Sequence, residues 1–393
     1  MAFLKEASKM KRQLTCLSTY AFAALTINLT ACDDEKVISE TVIDDSTQAG
    51  AEEANGDGEN TDTNGENTEE EENTGENMTA EEGVSTEDVL CGYAISGTQF
   101  LNYELFDPNT GVVTEVDDEL YQEFAWNCDA QNRTLTGNGI PDHNVTNGRF
   151  ATPISAQEVR ESIPLRPVLS TADPTVVRDP GYTLNGIGLE PGTGGRCPDS
   201  ATSAADCDPA GGNGTWKMVA LPGNVSNWQF SFGVDDNNAH VQPGGQYHVH
   251  GLPTILINQT PGALGSQMVH VGWAIDGFPI YSQYGYQDAS DANSSIVELA
   301  SSYQTIASPD ATRPSVDDIE LGHFEQDWEY VEGSGDLDEC NGRFGVTPEF
   351  PEGIYHYYIT TTYPFVQRCV KGVVPASAGG AGGPGGNPPQ PSN

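Results

Sequence analysis

Glycine and proline punctuate this chain so often that long helices have little room to form. Forty-four glycines and twenty-five prolines, with Asn and Thr throughout, favour many turns between short strands. Apolar alternation points the same way. Trp228, Phe230, Phe232 and Val234 alternate with polar or small residues, as a half-buried strand does, and residues 269–275 and 354–360 also read as strands. The 393 residues allow a sizeable core. The expected fold is mainly β: a single β-rich, sandwich-like and loop-rich domain.

The net charge of -42 argues against a nucleic-acid partner, because phosphate binding needs clustered Lys and Arg. Much of that charge lies outside the expected domain. Residues 33–88 are Glu, Asp, Asn, Thr and Gly with almost no apolar clustering, so they cannot bury enough surface to offset ordering entropy. A flexible acidic tether is expected there, about 40 Å long root-mean-square and stretched further by self-repulsion. Within it Asn60-Thr61-Asp62-Thr63-Asn64-Gly65, with Glu71, comes near an EF-hand calcium loop. Asn60 replaces the first Asp and no apolar helices flank the segment, so loose cation association is the most expected of it.

The N-terminus reads as an address. Lys11 and Arg12 precede a mildly apolar stretch, with Met10 as a candidate start, and Leu29-Thr30-Ala31-Cys32 closes it. This ending resembles a bacterial lipoprotein signal, implying cleavage after residue 31, lipidation at Cys32 and a membrane held through that anchor, in the cell envelope. An ordinary signal peptide or a poor membrane helix is the alternative. Thr26 and Asn28 interrupt a run that would need about 20 apolar residues to span a membrane. Asp33 resembles an inner-membrane retention signal. The expected domain covers residues 89–374, followed by a flexible Gly/Pro tail, 375–393.

Beyond the leader and Cys32, six cysteines remain: Cys91, Cys128, Cys197, Cys207, Cys340 and Cys369. An even number in an exported chain reads as disulfides, and sequential pairing is the expected connectivity among the 15 that six cysteines allow. No C-x-x-C occurs, which argues against a thiolate zinc or thioredoxin-like site.

The pattern Tyr247-His248-Val249-His250 returns as Tyr355-His356-Tyr357-Tyr358. Residues two apart on a strand share a face, about 6.5–7 Å apart, so His248 and His250 project together. Neutral imidazole is the commonest side-chain metal ligand. The repeat sits among further blocks: Gly137-Asn138-Gly139-Ile140-Pro141-Asp142-His143, Leu184-Asn185-Gly186 with Glu190-Pro191-Gly192-Thr193, and Ala239-His240-Val241-Gln242-Pro243-Gly244-Gly245. Later come Gly272-Trp273-Ala274-Ile275-Asp276-Gly277-Phe278-Pro279-Ile280-Tyr281 and Leu337-Asp338-Glu339-Cys340-Asn341-Gly342-Arg343. In this order they resemble the bacterial YHYH-domain family. The resemblance implies a domain rather than a reaction. Val249 stands where the namesake motif has its second Tyr, and Tyr358 where a strict second copy would have His, so an asymmetric site is expected.

Five of the seven histidines lie in these blocks: His143, His240, His248, His250 and His356. With Asp276 they form the candidate ligand set, and Asp142 is the other acidic residue grouped with them. Three or four such ligands suit zinc, and imidazole suits copper as well. Tyr247, Tyr355 and Tyr357 are expected on the opposite face or as supports of the ligands. A metal-free site for a small polar ligand is the nearest alternative. A metal- or His/Asp-dependent hydrolase is a second reading, with His248 as base and Asp276 orienting it. A surface module contacting glycans or another envelope protein, its histidines purely structural, is a third. The chain lacks H-E-x-x-H, G-x-S-x-G and G-x-x-x-x-G-K-[ST] motifs. His270 and His323 are expected at the surface or in turns.

Overall fold

A computed structural model describes residue 86 and residues 91–259 and 267–375. The leader, Cys32, the calcium-like segment, most of the acidic stretch and all but the first residue of the Gly/Pro tail lie outside the described residues. The protein is mainly β, as its turn-rich composition requires. Among the described residues the α-helix is the short Thr254–Gln259.

Two sheets carry the domain. The first has five strands: the long hairpin Tyr93–Phe106 and Val113–Cys128 at its centre, with Asn132–Gly137, Arg149–Phe150 and Val159–Pro164 around it. The second has eight strands. From edge to edge they are Ala239–Val241, Tyr247–Val249, Gly188–Leu189, Gly181–Thr183, His270–Ala274, Pro279–Tyr281, Ile354–Tyr358 and Gly342–Gly345. Alternation places Leu101, Phe124, Trp126 and Leu135 of the first sheet in one core with Val271, Trp273 and Ile280 of the second. Polar groups tie the sheets together at that interface. Trp126 Nε1 donates to Leu184 O at 2.9 Å, and the buried Arg133 guanidinium lies 3.8 Å over the Trp273 ring. Arg133 also donates to the backbone oxygen of Thr86, which is itself buried and joined to Leu165, so the packed structure includes a residue ahead of Val89.

The strands expected at 269–275 and 354–360 form as His270–Ala274 and Ile354–Tyr358. The three disulfides are sequential: Cys91–Cys128, Cys197–Cys207 and Cys340–Cys369. Residues 228–234 depart from expectation. They form no ladder, although Phe230 is buried. The backbone there is drawn against its neighbours singly: Gly233 O accepts from Arg149 N, and the Gln229 amide donates to a histidine ring at 3.1 Å. Alternation marked which side chains turn inward, and irregular extended chain achieves that without a sheet partner. That ring belongs to His323, which is fully buried, stacked on Trp228 at 4.7 Å and edge-on to Phe230 at 4.9 Å. Expected at the surface or in a turn, His323 does follow a turn, but as a buried aromatic-core residue whose Nδ1 donates to Glu320 O. His270, expected at the surface or in a turn as well, is instead in a strand, partly buried, with Nε2 bonded to Gly272 O at 2.9 Å.

One turn tests how tightly the sheet is specified. Gly277 has φ +92° and closes the tight turn between His270–Ala274 and Pro279–Tyr281, and a Cβ there would lie 2.4 Å from Pro164 O. Gly277→Ala is expected to cost about 2–4 kcal/mol, from the left-handed backbone plus overpacking against main chain. Denaturant unfolding checks this, and a cost below about 0.5 kcal/mol would refute it.

Candidate metal centre

The edge hairpin of the eight-stranded sheet gathers three imidazoles. Ala239–Val241 pairs antiparallel with Tyr247–Val249 so that His240 lies directly opposite His248. His250 follows two residues on and points to the same face. Cross-strand and same-strand spacing therefore converge. The three ring centroids are 4.6, 4.7 and 4.7 Å apart, and one ligand nitrogen from each ring lies within 4.8 Å of the others. The triad could hold a metal ion.

The outer hydrogen bonds fix which nitrogens face inward. His240 Nδ1 donates to Phe232 O at 3.0 Å and His248 Nδ1 to Gln246 O at 3.2 Å, leaving each Nε2 with its lone pair. His248 Nε2 and His250 Nε2 are 3.1 Å apart. Without an ion, His250 Nε2 must carry the hydrogen and donate it to the His248 Nε2 lone pair. With an ion bound, both offer lone pairs. A tetrahedral centre with metal–nitrogen distances of about 2.0–2.1 Å holds its nitrogens about 3.3 Å apart, so the spacing fits. Burial, the largest cause in each case, pushes His240 and His248 down to about 4 and His250 well below the usual imidazole value. All three are thus neutral at physiological pH, the form that ligates.

A carboxylate completes the surroundings. Gly188–Leu189 runs parallel to Tyr247–Val249, Leu189 beside Val249, and the next residue, Glu190, donates its amide to Val249 O. Its carboxylate reaches to 3.7 Å from His248 Nε2. Arg178 faces Glu190 at 3.4 Å and donates to Gln242 Oε1 at 3.2 Å, holding the carboxylate from its solvent side. Glu190 stands in a recognised block, yet the sequence reading does not select it. The only signal that could have singled it out is its place one residue beyond a strand parallel to the His248 strand, and parallel pairing between such distant segments is not written in either.

The other candidates stand elsewhere. His143 lies on the opposite side of the hairpin, with Nε2 at 3.2 Å from Tyr247 Oη and Nδ1 at 3.0 Å from Asp142. Tyr247 alternates away from the triad, and its hydroxyl donates to Asp235 at 2.5 Å. His356 is far along the sheet, its Nδ1 on Ile354 O and its Nε2 2.7 Å from Tyr358 Oη. Asp276 caps its own turn and accepts from Tyr357 Oη at 2.6 Å and Gly372 N at 2.8 Å, while burial pushes its pKa up to about 6. Each of these is satisfied by protein partners, and none is within the triad.

No curated protein and no solved structure matches the chain. The family model of the YHYH proteins matches residues 160–372, more than half of the sequence and the whole of the eight-stranded sheet. The Gly137–His143 block falls ahead of that span. Both Tyr-His strands fall within it, and the chain belongs to the YHYH family.

Proposed function

We propose that this protein is a lipid-anchored component of the bacterial cell envelope that binds one transition-metal ion, zinc or copper, through His240, His248 and His250. The observation that carries the reading is the convergence of three neutral imidazoles, His248 and His250 buried and His240 half-buried, two of them with outer nitrogens already committed to backbone carbonyls. Three nitrogen ligands leave a coordination position for water or a small polar ligand, beside the Glu190 carboxylate. An ion there would act as a Lewis acid and lower the pKa of bound water. Glu190, 3.7 Å from His248 Nε2, supports metal-dependent hydrolysis as a second reading, with the carboxylate placed to accept a proton.

The test is metal analysis of the mature chain from Cys32, disulfides intact, after exposure to zinc or copper and removal of loosely held ions. One ion per chain is expected, and His248→Ala/His250→Ala should lower affinity by more than about 100-fold. Metal content near zero in both proteins would sink the metal reading. Lipidation has its own check: Cys32→Ala should move the protein from the membrane fraction to the soluble one.

A further inference from the structure

The eight-stranded sheet is built twice from one plan. Gly181–Thr183 and Gly188–Leu189 form an antiparallel hairpin, as do His270–Ala274 and Pro279–Tyr281. A second hairpin then adds its later strand in parallel to the first hairpin's outer strand: Tyr247–Val249 onto Gly188–Leu189, and Ile354–Tyr358 onto Pro279–Tyr281. The earlier strand of that second hairpin becomes the sheet edge in both halves. The halves meet where Gly181–Thr183 pairs antiparallel with His270–Ala274.

The correspondence extends to single residues. Gly186 and Gly277 close the first hairpins at φ +80° and +92°, and Asn238 and Asn341 open the second at φ 54° and 60°. Tyr247 Oη donates to Asp235, and Tyr355 Oη to Asp338 at 2.9 Å. His248 Nδ1 donates to the carbonyl two residues before it, and so does His356 Nδ1. The edge residue opposite His248 is His240, and opposite His356 it is Arg343. By this alignment His250 corresponds to Tyr358 and Glu190 to Tyr281.

We propose that the second half holds a closed copy of the metal site, in which the Arg343 side chain supplies the positive charge that an ion supplies in the first. This rests on the metal reading of the His240 triad. Tyr358 Oη takes the position of His250 Nε2, 2.7 Å from His356 Nε2. Arg343 Nη2 lies 3.4 Å from that hydroxyl and is held by Tyr286 O at 2.6 Å. A guanidinium cannot be displaced by a metal ion as water is, because it is tethered and cannot lose its proton at ordinary pH. Tyr281 fills the place of Glu190, with its ring 5.3 Å from that of His356, which removes the nearby carboxylate. The protein therefore has one open site, and at the far end of the same sheet a scaffold that keeps His356 and lacks the other two histidines.

Arg343→His/Tyr358→His would restore the histidine set, and zinc content of the folded mature chain is the readout. The double variant is expected to bind two ions where the wild type binds one, and one ion in the His248→Ala/His250→Ala background. Wild type and double variant both binding one ion would overturn the closed copy and leave the triad reading intact. A wild type binding none would refute the triad reading and, with it, the copy of a metal site. If the double variant fails to fold, the reverse exchange decides. His240→Arg/His250→Tyr should lose the ion and, without metal, melt no lower than His240→Ala/His250→Ala. A lower melting temperature would show that the two scaffolds are not interchangeable and overturn the proposal.

Discussion

Substituting Asp327→Asn is expected to lower unfolding free energy by about 3–5 kcal/mol, the usual cost of leaving a buried charge without its partner. The Asp327 carboxylate meets the Arg313 guanidinium at 2.6 and 2.8 Å, with side chains 0% and 1% exposed. It also accepts the amides of Gly322 and Phe324 at 3.0 and 3.1 Å. Arg313 directs its other donors to Pro314 O, Ile319 O and Glu320 O, so the pair closes the loop that seats His323 and Phe324 in their aromatic cluster. The substituted amide would present one neutral acceptor to a guanidinium that cannot deprotonate. Guanidinium chloride unfolding measures the loss, and a change below about 1 kcal/mol would contradict it.

A second large effect is expected with acid. Burial holds His270 and His356 neutral down to about pH 3, against about 6.5 in the unfolded chain. His240 and His248 are held neutral down to about 4. Between these values and 6.5 the unfolded chain binds more protons than the folded one. Stability therefore rises with pH through that window and is flat above it. Asp276 opposes this: its pKa of about 6 lies above the unfolded value, so its protonation favours the folded state as pH falls from 6 towards 3.8. His250 and His323 are lowered by burial as well, and Asp179 and Asp235 are raised by it, so six histidines stand against three carboxylates and the net slope is positive. Exposed turn carboxylates such as Asp129 and Asp310, lowered by backbone amides, add to the loss only below about 3.8. The metal-free protein should thus need less denaturant at pH 4.5 than at 7.5. A midpoint that stays constant across that interval would show that the imidazoles are accessible to protons in the folded state.

Much of the site was legible in the sequence because it is local. His248 and His250 share a face by strand periodicity, and His240 lies on the partner strand of one hairpin. Glu190 arrives through a parallel pairing between segments far apart in the chain, and side-chain pattern does not encode such a partner. His356 and Asp276 misled for a different reason. His356 occupies the place of His248 in the other half of the sheet, where its neighbours are a tyrosine and an arginine, and Asp276 is a turn residue committed to Tyr357 and Gly372. The Trp228–Val234 alternation reported burial correctly and pairing wrongly, since apolar periodicity specifies which side chains face the core and leaves the backbone's hydrogen-bond partner open. His323 was misplaced because a lone histidine between Gly322 and Phe324 carries no sign that an indole will stack on it.

Among the described residues, the strand bearing His240 is the outermost of its sheet, with a hydrogen-bonded partner strand on one side alone. Such a strand can slip, and a slip of one residue turns every side chain to the other face. For this hairpin that error would carry His240 away from His248 and His250 and dissolve the triad. On the metal reading proposed above, ion capture would report correct strand alignment. On that reading, misaligned hairpins would be distinguished by their failure to retain the ion.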